Sequence, residues 1–190
     1  MRLTVADAIS PSYFVAIAAV QLGFFRQEGI DMEFVFAPRD PSVRSGALKD
    51  GAIDFFVGSP YTVLRAFPGW RGGVLLCALS HYAYWFLAIR SDIKGERGDV
   101  SAVKGLRLSA APDPGLTMKR LLEEAGIDFE RDNVQIVRGP RGTSPNYAWD
   151  GVDAIEQGLA DGYWGNGLRA DLGVKRGIAK ILLDVRRGDG

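Results

Sequence analysis

The chain has 190 residues, 47% of them hydrophobic, and its 23 basic residues balance 23 acidic ones. This length suits one domain or two small lobes. A net charge of zero gives no general attraction to nucleic acid or to anionic lipid. The sequence contains no run of about 18 apolar residues, so no membrane-spanning helix is predicted. The opening MRLTVADA lacks the apolar segment of an export signal and looks like a first strand.

The first part of the chain predicts two helices between three strands. The helix at residues 12–22 is apolar nearly all round, so we expect it to be deeply buried. The chain then turns at Gly29, and the second helix ends near Gly51. The strands are expected at residues 3–6, at 32–37 and from Asp54 onward.

Two apolar strands and a charged turn are predicted in the middle of the chain. The strands cover residues 74–79 and 84–89, and the turn covers 91–99. Cys77, the single cysteine, lies within the first of these strands and is expected to be a small buried hydrophobic residue. One cysteine and one histidine exclude a Cys/His zinc site within the chain, and no cofactor is indicated.

The last part of the chain predicts the same order of elements as the first. Its first helix carries Met118, Leu121, Leu122 and Ala125 at spacings i, i+3, i+4 and i+7, and Gly126 suits its end. The strands are expected at 106–111, at 134–138 and from Asp161, with a second helix that ends near Gly158.

The two halves are also similar in sequence. ALKDGAIDFFVGS, from Ala47, aligns with AIEQGLADGYWGN, from Ala154, 107 residues later. EGIDMEFVFAPR similarly resembles AGIDFERDNVQIVRGPR, and LTVADA more loosely resembles LRLSAA. We therefore predict an α/β protein of two β-α-β-α-β lobes with parallel sheets. Lobe 1 covers residues 1–88, a hinge or crossing segment 89–104, and lobe 2 105–190.

Ligands of open parallel sheets bind beyond the carboxyl ends of the strands, where helices begin. Three Ser-Pro stretches, ISPSY, GSPY and TSPNY, stand at such junctions. Helix capping explains their serines without a ligand, whereas an aromatic side chain at a helix start often lines a pocket. The candidate ligand contacts from these stretches are Ser10, Ser12, Tyr13, Ser59, Tyr61, Thr143 and Ser144.

Further candidates come from the repeat and from loops after strands. Asn166 is the counterpart of Ser59, and Trp164 just before it is either a core residue or a ligand platform. Asp113, in PDPG, either caps a helix or accepts a hydrogen bond from a ligand. The loop candidates are Arg39, which suits an anionic ligand or a solvated loop, and Ser80, His81 and Tyr84.

The first half resembles a known family. VADAISPSYFVAIAAVQLGFFRQEGIDMEFVF, followed by ALKDGAIDFFVGSP, is similar to the amino-terminal lobe of substrate-binding proteins of ABC importers, in the NMT1/THI5-like branch that includes sulfonate, taurine, nitrate and thiamine-pyrimidine binders. The resemblance implies a type II periplasmic-binding-protein fold with a ligand cleft between the lobes. It also implies a small-molecule ligand and an ABC permease as partner. We expect a small polar organic ligand, and an anionic ligand is one of the alternatives.

Two departures from the family pattern bear on location and assembly. The chain shows no export or lipoprotein signal, so we expect a periplasmic or cell-surface protein if a signal has been removed and a cytoplasmic one otherwise. It also stops earlier than family members usually do, which predicts a truncated sequence or a homodimer that covers an incomplete first lobe. The alternatives to a solute-binding protein are an enzyme on the same fold, like the pyrimidine synthase, the desulfinase or the menaquinone-pathway enzymes, and a cytosolic ligand sensor.

Overall fold

The structure is a computed structural model that describes residues 1–6, 8, 10–38, 40–80, 84–140 and 150–187. Its internal contacts divide the chain into two compact units, Met1–His81 and Tyr82–Gly190, called here the first and the second unit. This division falls earlier than the predicted end of lobe 1 at residue 88. A hinge at residues 89–104 concerns motion and stays a prediction.

The first unit alternates strands and helices. Its elements are β1 (Arg2–Val5), α1 (Pro11–Gln21), α2 (Phe24–Gln27), β2 (Glu33–Phe36), α3 (Pro41–Lys49), β3 (Phe55–Val57), α4 (Tyr61–Ala66) and a 3-10 turn (Pro68–Trp70). Central strand β1 pairs in parallel with both neighbours, so the sheet order is β2-β1-β3. Leu3 and Val5 of β1 form the core of this unit with Ala16 of α1.

Helix α1 is much more exposed than its sequence predicts. Ala16 is its only buried residue, while Phe14 is 65% exposed and Val15 62% exposed. The expectation of a deeply buried helix is therefore wrong for this unit. A helix that is apolar on every side needs neighbours on every side. The three-stranded sheet packs against only one side of α1.

The strand predicted at residues 74–79 is also wrong. This segment has irregular backbone, and Val74 and Leu76 are 81% and 71% exposed. Cys77 is exposed, not buried as expected. A strand needs a neighbour for its backbone hydrogen bonds, and no described strand of the first unit pairs with this segment.

The second unit repeats that plan and adds two strands. Its elements are β4 (Trp85–Arg90), a 3-10 turn (Val100–Val103), β5 (Arg107–Ser109), α5 (Pro112–Glu124), β6 (Gln135–Val137), α6 (Asp150–Glu156), β7 (Gly162–Asn166), α7 (Gly167–Lys175), β8 (Ala179–Asp184) and a second 3-10 turn (Val185–Arg187). The sheet order is β6-β5-β7-β4-β8. Strands β5, β6 and β7 are parallel, whereas β4 is antiparallel to β7 and to β8.

Strand β4 supplies core residues to both faces of this sheet. Leu87 packs in one cluster with Met118 and Leu122 of α5, all fully buried. Ala88 packs in the other cluster with Tyr163. The spacing that predicted α5 is therefore confirmed, because Met118 and Leu122 face the core.

The predicted repeat is confirmed. The orders β2-β1-β3 and β6-β5-β7 match, both sets are parallel, and the intervening helices match as well. Within the described ranges, no helix has the length and apolarity needed to cross a lipid bilayer.

Candidate functional site

Each unit presents a carboxyl edge, which is the side of its sheet where the parallel strands end. In the first unit β1 and β3 end at Val5 and Val57, and in the second unit β5 and β7 end at Ser109 and Asn166. Helices begin just beyond these residues, so free backbone N–H groups and positive helix ends collect at both edges. Most of the predicted site residues that the structure describes lie at one of the two edges.

Ser10 and Ser12 flank the proline that begins α1. Ser10 is 6% exposed and occupies the N-cap position, and Pro11 is the first helical residue. The Ser10 carbonyl accepts a hydrogen bond from the Tyr13 N–H at 2.9 Å. Ser10 makes no side-chain capping bond to this helix, so the expected capping by its hydroxyl is wrong.

Tyr13 and Tyr61 occupy first turns on the first carboxyl edge. Tyr13 is half-buried and packs against the core cluster of Leu3 and Val5. Tyr61 begins α4 and is 38% exposed. Both aromatic side chains therefore lie beside the polar start of a helix, as predicted from the sequence.

Ser59 combines a local structural role with its position at the edge. Its Oγ accepts a hydrogen bond from the Tyr61 N–H at 3.3 Å, and its carbonyl accepts one from the Thr62 N–H at 3.1 Å. Ser59 thus satisfies one N–H group in the first turn of α4, although Pro60 holds the N-cap position of that helix. The fully buried hydroxyl of Thr62 has no hydrogen-bond partner among the described residues, so the polar start of α4 is incompletely satisfied.

The second carboxyl edge brings together three buried polar residues. Ser109 ends β5 and is 4% exposed, Asp113 lies in the first turn of α5 at 6%, and Asn166 ends β7 at 1%. Asp113 is not the predicted cap, because Pro112 takes the first helical position and leaves Ala111 at the N-cap. Asn166 occupies the N-cap position of α7 without a side-chain capping bond.

Three aromatic rings form a column at this second edge. The Tyr84 and Trp85 rings stack with centroids 5.7 Å apart and planes at 17°, and the Trp85 and Trp164 rings follow at 5.9 Å and 5°. Trp164 is 2% exposed and belongs to the core, and its Nε1 has no hydrogen-bond partner in the described part of the chain. Of the two roles considered for Trp164, the core residue is the one observed, and the ligand platform stays a prediction.

Four predicted site residues lie outside the described residues, and a fifth, Ser80, lies in irregular backbone. Ser80 is exposed in the irregular segment that follows α4 and its 3-10 turn. The four residues outside are Arg39, His81, Thr143 and Ser144.

Two buried arginines were missed by sequence reasoning. Arg44 of α3 is 7% exposed, donates to the Pro38 carbonyl at 3.2 Å and lies 5.6 Å from the Phe56 ring centre. Arg169 of α7 is 6% exposed, and its carbonyl accepts the Tyr163 hydroxyl at 2.8 Å, while burial raises the pKa of that phenol. Each arginine lies in the first turn of a helix that follows a carboxyl edge. The sequence shows this position, but it does not show that the two side chains are buried.

A surface depression of about 330 Å³ lies at the opposite, amino edge of the first unit. Its charged groups pair with one another, since the Arg2 Nε contacts Glu33 at 3.1 Å and the Arg2 N–H donates to Asp54 at 2.6 Å. This depression is therefore a structural feature of the amino edge. Among the described residues no group of three or more His, Cys, Asp or Glu side chains is arranged to hold a metal ion.

Comparison with known proteins links the chain to one family. A family model described as NMT1/THI5 like matches residues 10–168, which is most of the chain. A search of curated proteins finds no match.

Similar solved structures are binding proteins. The alkanesulfonate-binding protein SsuA from Xanthomonas axonopodis pv. citri bound to MOPS has a TM-score of 0.64 and 19% identity, over 97% of this chain and 60% of that one. The nitrate-binding protein NrtA from Synechocystis PCC 6803 has a TM-score of 0.69 and 14% identity, over 96% of this chain and 50% of that one. The aliphatic sulphonate binding protein SsuA from Escherichia coli has a TM-score of 0.62 and 16% identity, over 98% and 60%.

These likenesses show the fold. Each unit of the chain has the α/β organisation of type II periplasmic binding proteins, as the resemblance of the first half implied. The chain spans less than two thirds of the length of these three structures.

Proposed function

Because the chain belongs to the NMT1/THI5-like family, we propose that it is a solute-binding protein that captures a small polar organic ligand for ABC-type uptake. One observation carries this proposal. Ser59 and Asn166 lie 107 residues apart, at matched positions where a carboxyl edge passes into a helix. Duplicated polar helix starts of this kind suit the binding of one ligand from two sides.

An anionic ligand is the favoured case. Helix starts carry partial positive charge, and the first turns of α3 and α7 add the permanently charged Arg44 and Arg169 at their respective edges. Tyr13, Tyr61 and Tyr84 would supply aromatic contact area.

Binding without covalent chemistry is part of the proposal. An activated cysteine nucleophile needs a cationic setting that lowers its pKa. Cys77 instead lies between apolar residues of an irregular segment. The similar solved structures are binding proteins for sulfonates and nitrate.

The proposed partners are an ABC permease and a second copy of the chain. Three of the relatives are described as periplasmic proteins, and the proposed location is the periplasm or the cell surface. The exposed apolar side chains of the first unit, such as Phe14 and Leu76, form the surface that a homodimer would cover.

A thermal-shift panel of sulfonates, carboxylates, nitrate, pyrimidines and aromatic acids tests the function. A true ligand stabilises the protein by RT ln(1 + [L]/Kd), and mass spectrometry recovers it unchanged.

A variant tests the role of Asn166 in binding. Asn166→Ala should weaken binding roughly fivefold, since one buried hydrogen-bonding group is lost. The matched control Gln157→Ala, an exposed amide just after the end of α6, should bind normally. Chemical conversion of a panel compound by the protein would contradict the proposal, as would the absence of any stabilising compound.

A further inference from the structure

The charged segment that follows β4 in the second unit is bonded to strand β8 and to the residue just before it. At the start of this segment, the Ser91 N–H donates to the Ile178 carbonyl at 3.0 Å. Near its end, the Gly98 N–H donates to the Leu182 carbonyl at 2.8 Å. Residues 91–99, called here the strap, are therefore attached to the β8 region at both of their ends.

Strand β8 has a backbone group that suits this attachment. It is the last strand of its sheet, so the described residues place a neighbouring strand on only one of its sides. The β4–β8 pairing shifts between Leu87 and Ala88, which leaves Leu182 without an opposite residue in β4. Gly98 reaches the Leu182 carbonyl with a φ of 88°, which residues with a side chain rarely adopt. The strap thus pairs a backbone group on the open side of an edge strand.

Asp184, the last residue of β8, binds the strap through its side chain. This side chain is 2% exposed, and its Oδ2 accepts a hydrogen bond from the Arg97 guanidinium of the strap at 3.0 Å. The same carboxylate accepts from the Arg186 Nε at 3.0 Å and from the Arg186 N–H at 3.2 Å. The bond from Arg186, with the charge of Arg97, holds the pKa of the Asp184 carboxyl below its usual range. Asp184 therefore stays ionised and joins the strap to the 3-10 turn after β8.

Apolar packing fixes the middle of the strap. Ile93 packs against the main core cluster of the second unit. A methyl group added at Gly95 would lie only 2.5 Å from the Ala102 Cβ, so the strap backbone approaches the next 3-10 turn closely. Segments that open easily have few buried contacts and few backbone hydrogen bonds. The strap has both, although its sequence is that of a charged, glycine-containing turn.

We propose that residues 91–99 form a fixed strap that moves with the second unit as one body and closes the open side of β8, and that Asp184 is the residue that holds it in place. An edge strand left open can pair with another chain, and a covering segment prevents this. The proposal gives these residues a role different from the hinge expected at residues 89–104. It concerns the second unit alone and goes beyond the proposed function.

Hydrogen exchange of the full chain, followed by mass spectrometry, tests whether the strap is fixed. Peptides from the strap should exchange slowly, because the N–H groups of Ser91, Ile93, Gly98 and Asp99 donate backbone hydrogen bonds. Within the described residues, segment 74–79 is irregular and exposed and forms no such bonds, so it is the fast reference in the same sample.

Variants test the part played by Asp184. Arg97→Ala should speed the exchange of the strap about 3- to 10-fold, since a hydrogen bond between two charged groups is lost. Lys94→Ala, which removes another exposed charge of the strap, should leave it unchanged. Asp184→Asn should speed exchange in the strap and also in residues 185–187, whereas Arg97→Ala affects only the strap. The Arg97 side chain is 42% exposed, so Arg97→Ala keeps the fold and gives an answer even where Asp184→Asn lowers the overall stability.

A distance measurement tests whether the strap moves with its unit. Spin labels are attached at Lys94→Cys and Arg120→Cys, in the Cys77→Ser background that removes the native thiol. A fixed strap should give one narrow distance distribution. The matched pair Arg120→Cys and Lys175→Cys, on exposed faces of α5 and α7, sets the width expected for a rigid unit.

Each outcome decides one part of the proposal. Exchange in the native strap as fast as in segment 74–79, or a distance distribution much broader than that of the matched pair, overturns the fixed strap and favours a hinge. Slow exchange that neither Arg97→Ala nor Asp184→Asn changes overturns the role of Asp184. These measurements use no ligand, so their results leave the proposed solute binding untouched.

Discussion

The two units share a repeat but differ in how far their sheets extend. The first unit has three strands and the second has five, and the additional strands are β4 and β8. By the offset of 107 residues, the exposed segment 74–79 corresponds to residues 181–186, which overlap the end of β8. VLLCAL is at least as apolar as AKILLD, yet only the second sequence forms a strand.

The difference lies in the partner strand. Strand β8 forms hydrogen bonds to β4, which is itself paired with β7. The described part of the first unit has no strand in the position of β4, and the apolar segment 74–79 is irregular and exposed. Strand propensity therefore acts only where a neighbouring backbone is available.

The largest expected effect comes from shortening a buried side chain of β4, the strand that has no counterpart in the described part of the first unit. Leu87→Ala in β4 removes a fully buried side chain from the main core and should cost about 2–5 kcal/mol of unfolding free energy. Leu75→Ala, in the exposed segment, should change the stability by less than about 0.5 kcal/mol. Urea denaturation followed by circular dichroism measures both. Similar costs for the two variants would mean that segment 74–79 packs as tightly as β4.

A second effect compares the aspartates that begin the third strand of each repeat, Asp54 and Asp161. Both accept the backbone N–H of a matched arginine, Arg2 at 2.6 Å and Arg107 at 3.0 Å. Asp161 also accepts from the Arg107 side chain at 3.0 Å, and this guanidinium holds the pKa of the Asp161 carboxyl below its usual range despite its burial. Asp161→Asn should cost about 1–3 kcal/mol at neutral pH, and Asp54→Asn less.

The pH dependence of that effect has a definite sign. Because the pKa of Asp161 is lower in the folded state, its stabilisation is complete above the unfolded value of about 4 and is lost as the pH falls through the folded value. Urea curves at neutral pH and near pH 3 should therefore show the wild type and Asp161→Asn converging in acid. A difference in stability that is constant with pH would show that the ion pair with Arg107 is not its source.

The elements that could be predicted from the sequence are those whose partners lie in the same repeat. The spacing of Met118 and Leu122 identified α5, and the left-handed Gly126, at φ 91°, ends it as expected. The burial of α1 and of segment 74–79 was predicted wrongly, because it depends on neighbours that periodicity does not reveal. Arg44 and Arg169 were missed for a related reason, since burial of a charged side chain is decided by tertiary contacts.

A smaller effect concerns the hydrogen bond that the Ser59 hydroxyl accepts at the start of α4. Ser59 Oγ accepts from the Tyr61 N–H, whereas its counterpart Asn166 makes no capping bond to α7. Ser59→Ala should therefore lower stability by about 0.5–1 kcal/mol, and Ser59→Thr, which keeps the acceptor, by only a few tenths. Thermal unfolding without ligand measures both. Equal losses in the two variants would assign the role of Ser59 to packing rather than to capping.

The smallest expected effect on stability, less than about 0.5 kcal/mol, is that of Cys77→Ser, because the thiol is exposed.

The native Cys77 also serves as a labelling site for the proposed homodimer. It is the only cysteine in the sequence, and it lies within the apolar segment that a second copy would cover. In dilute solution the thiol should react with a maleimide as fast in the native protein as in urea. If a homodimer covers segment 74–79, raising the protein concentration should slow this reaction while sedimentation shows the dimer, and Leu76→Lys should restore both the fast labelling and the monomer. A rate that is independent of concentration, in a protein that stays monomeric, would contradict the proposed homodimer, and the apolar surface of the first unit would then stay open in solution.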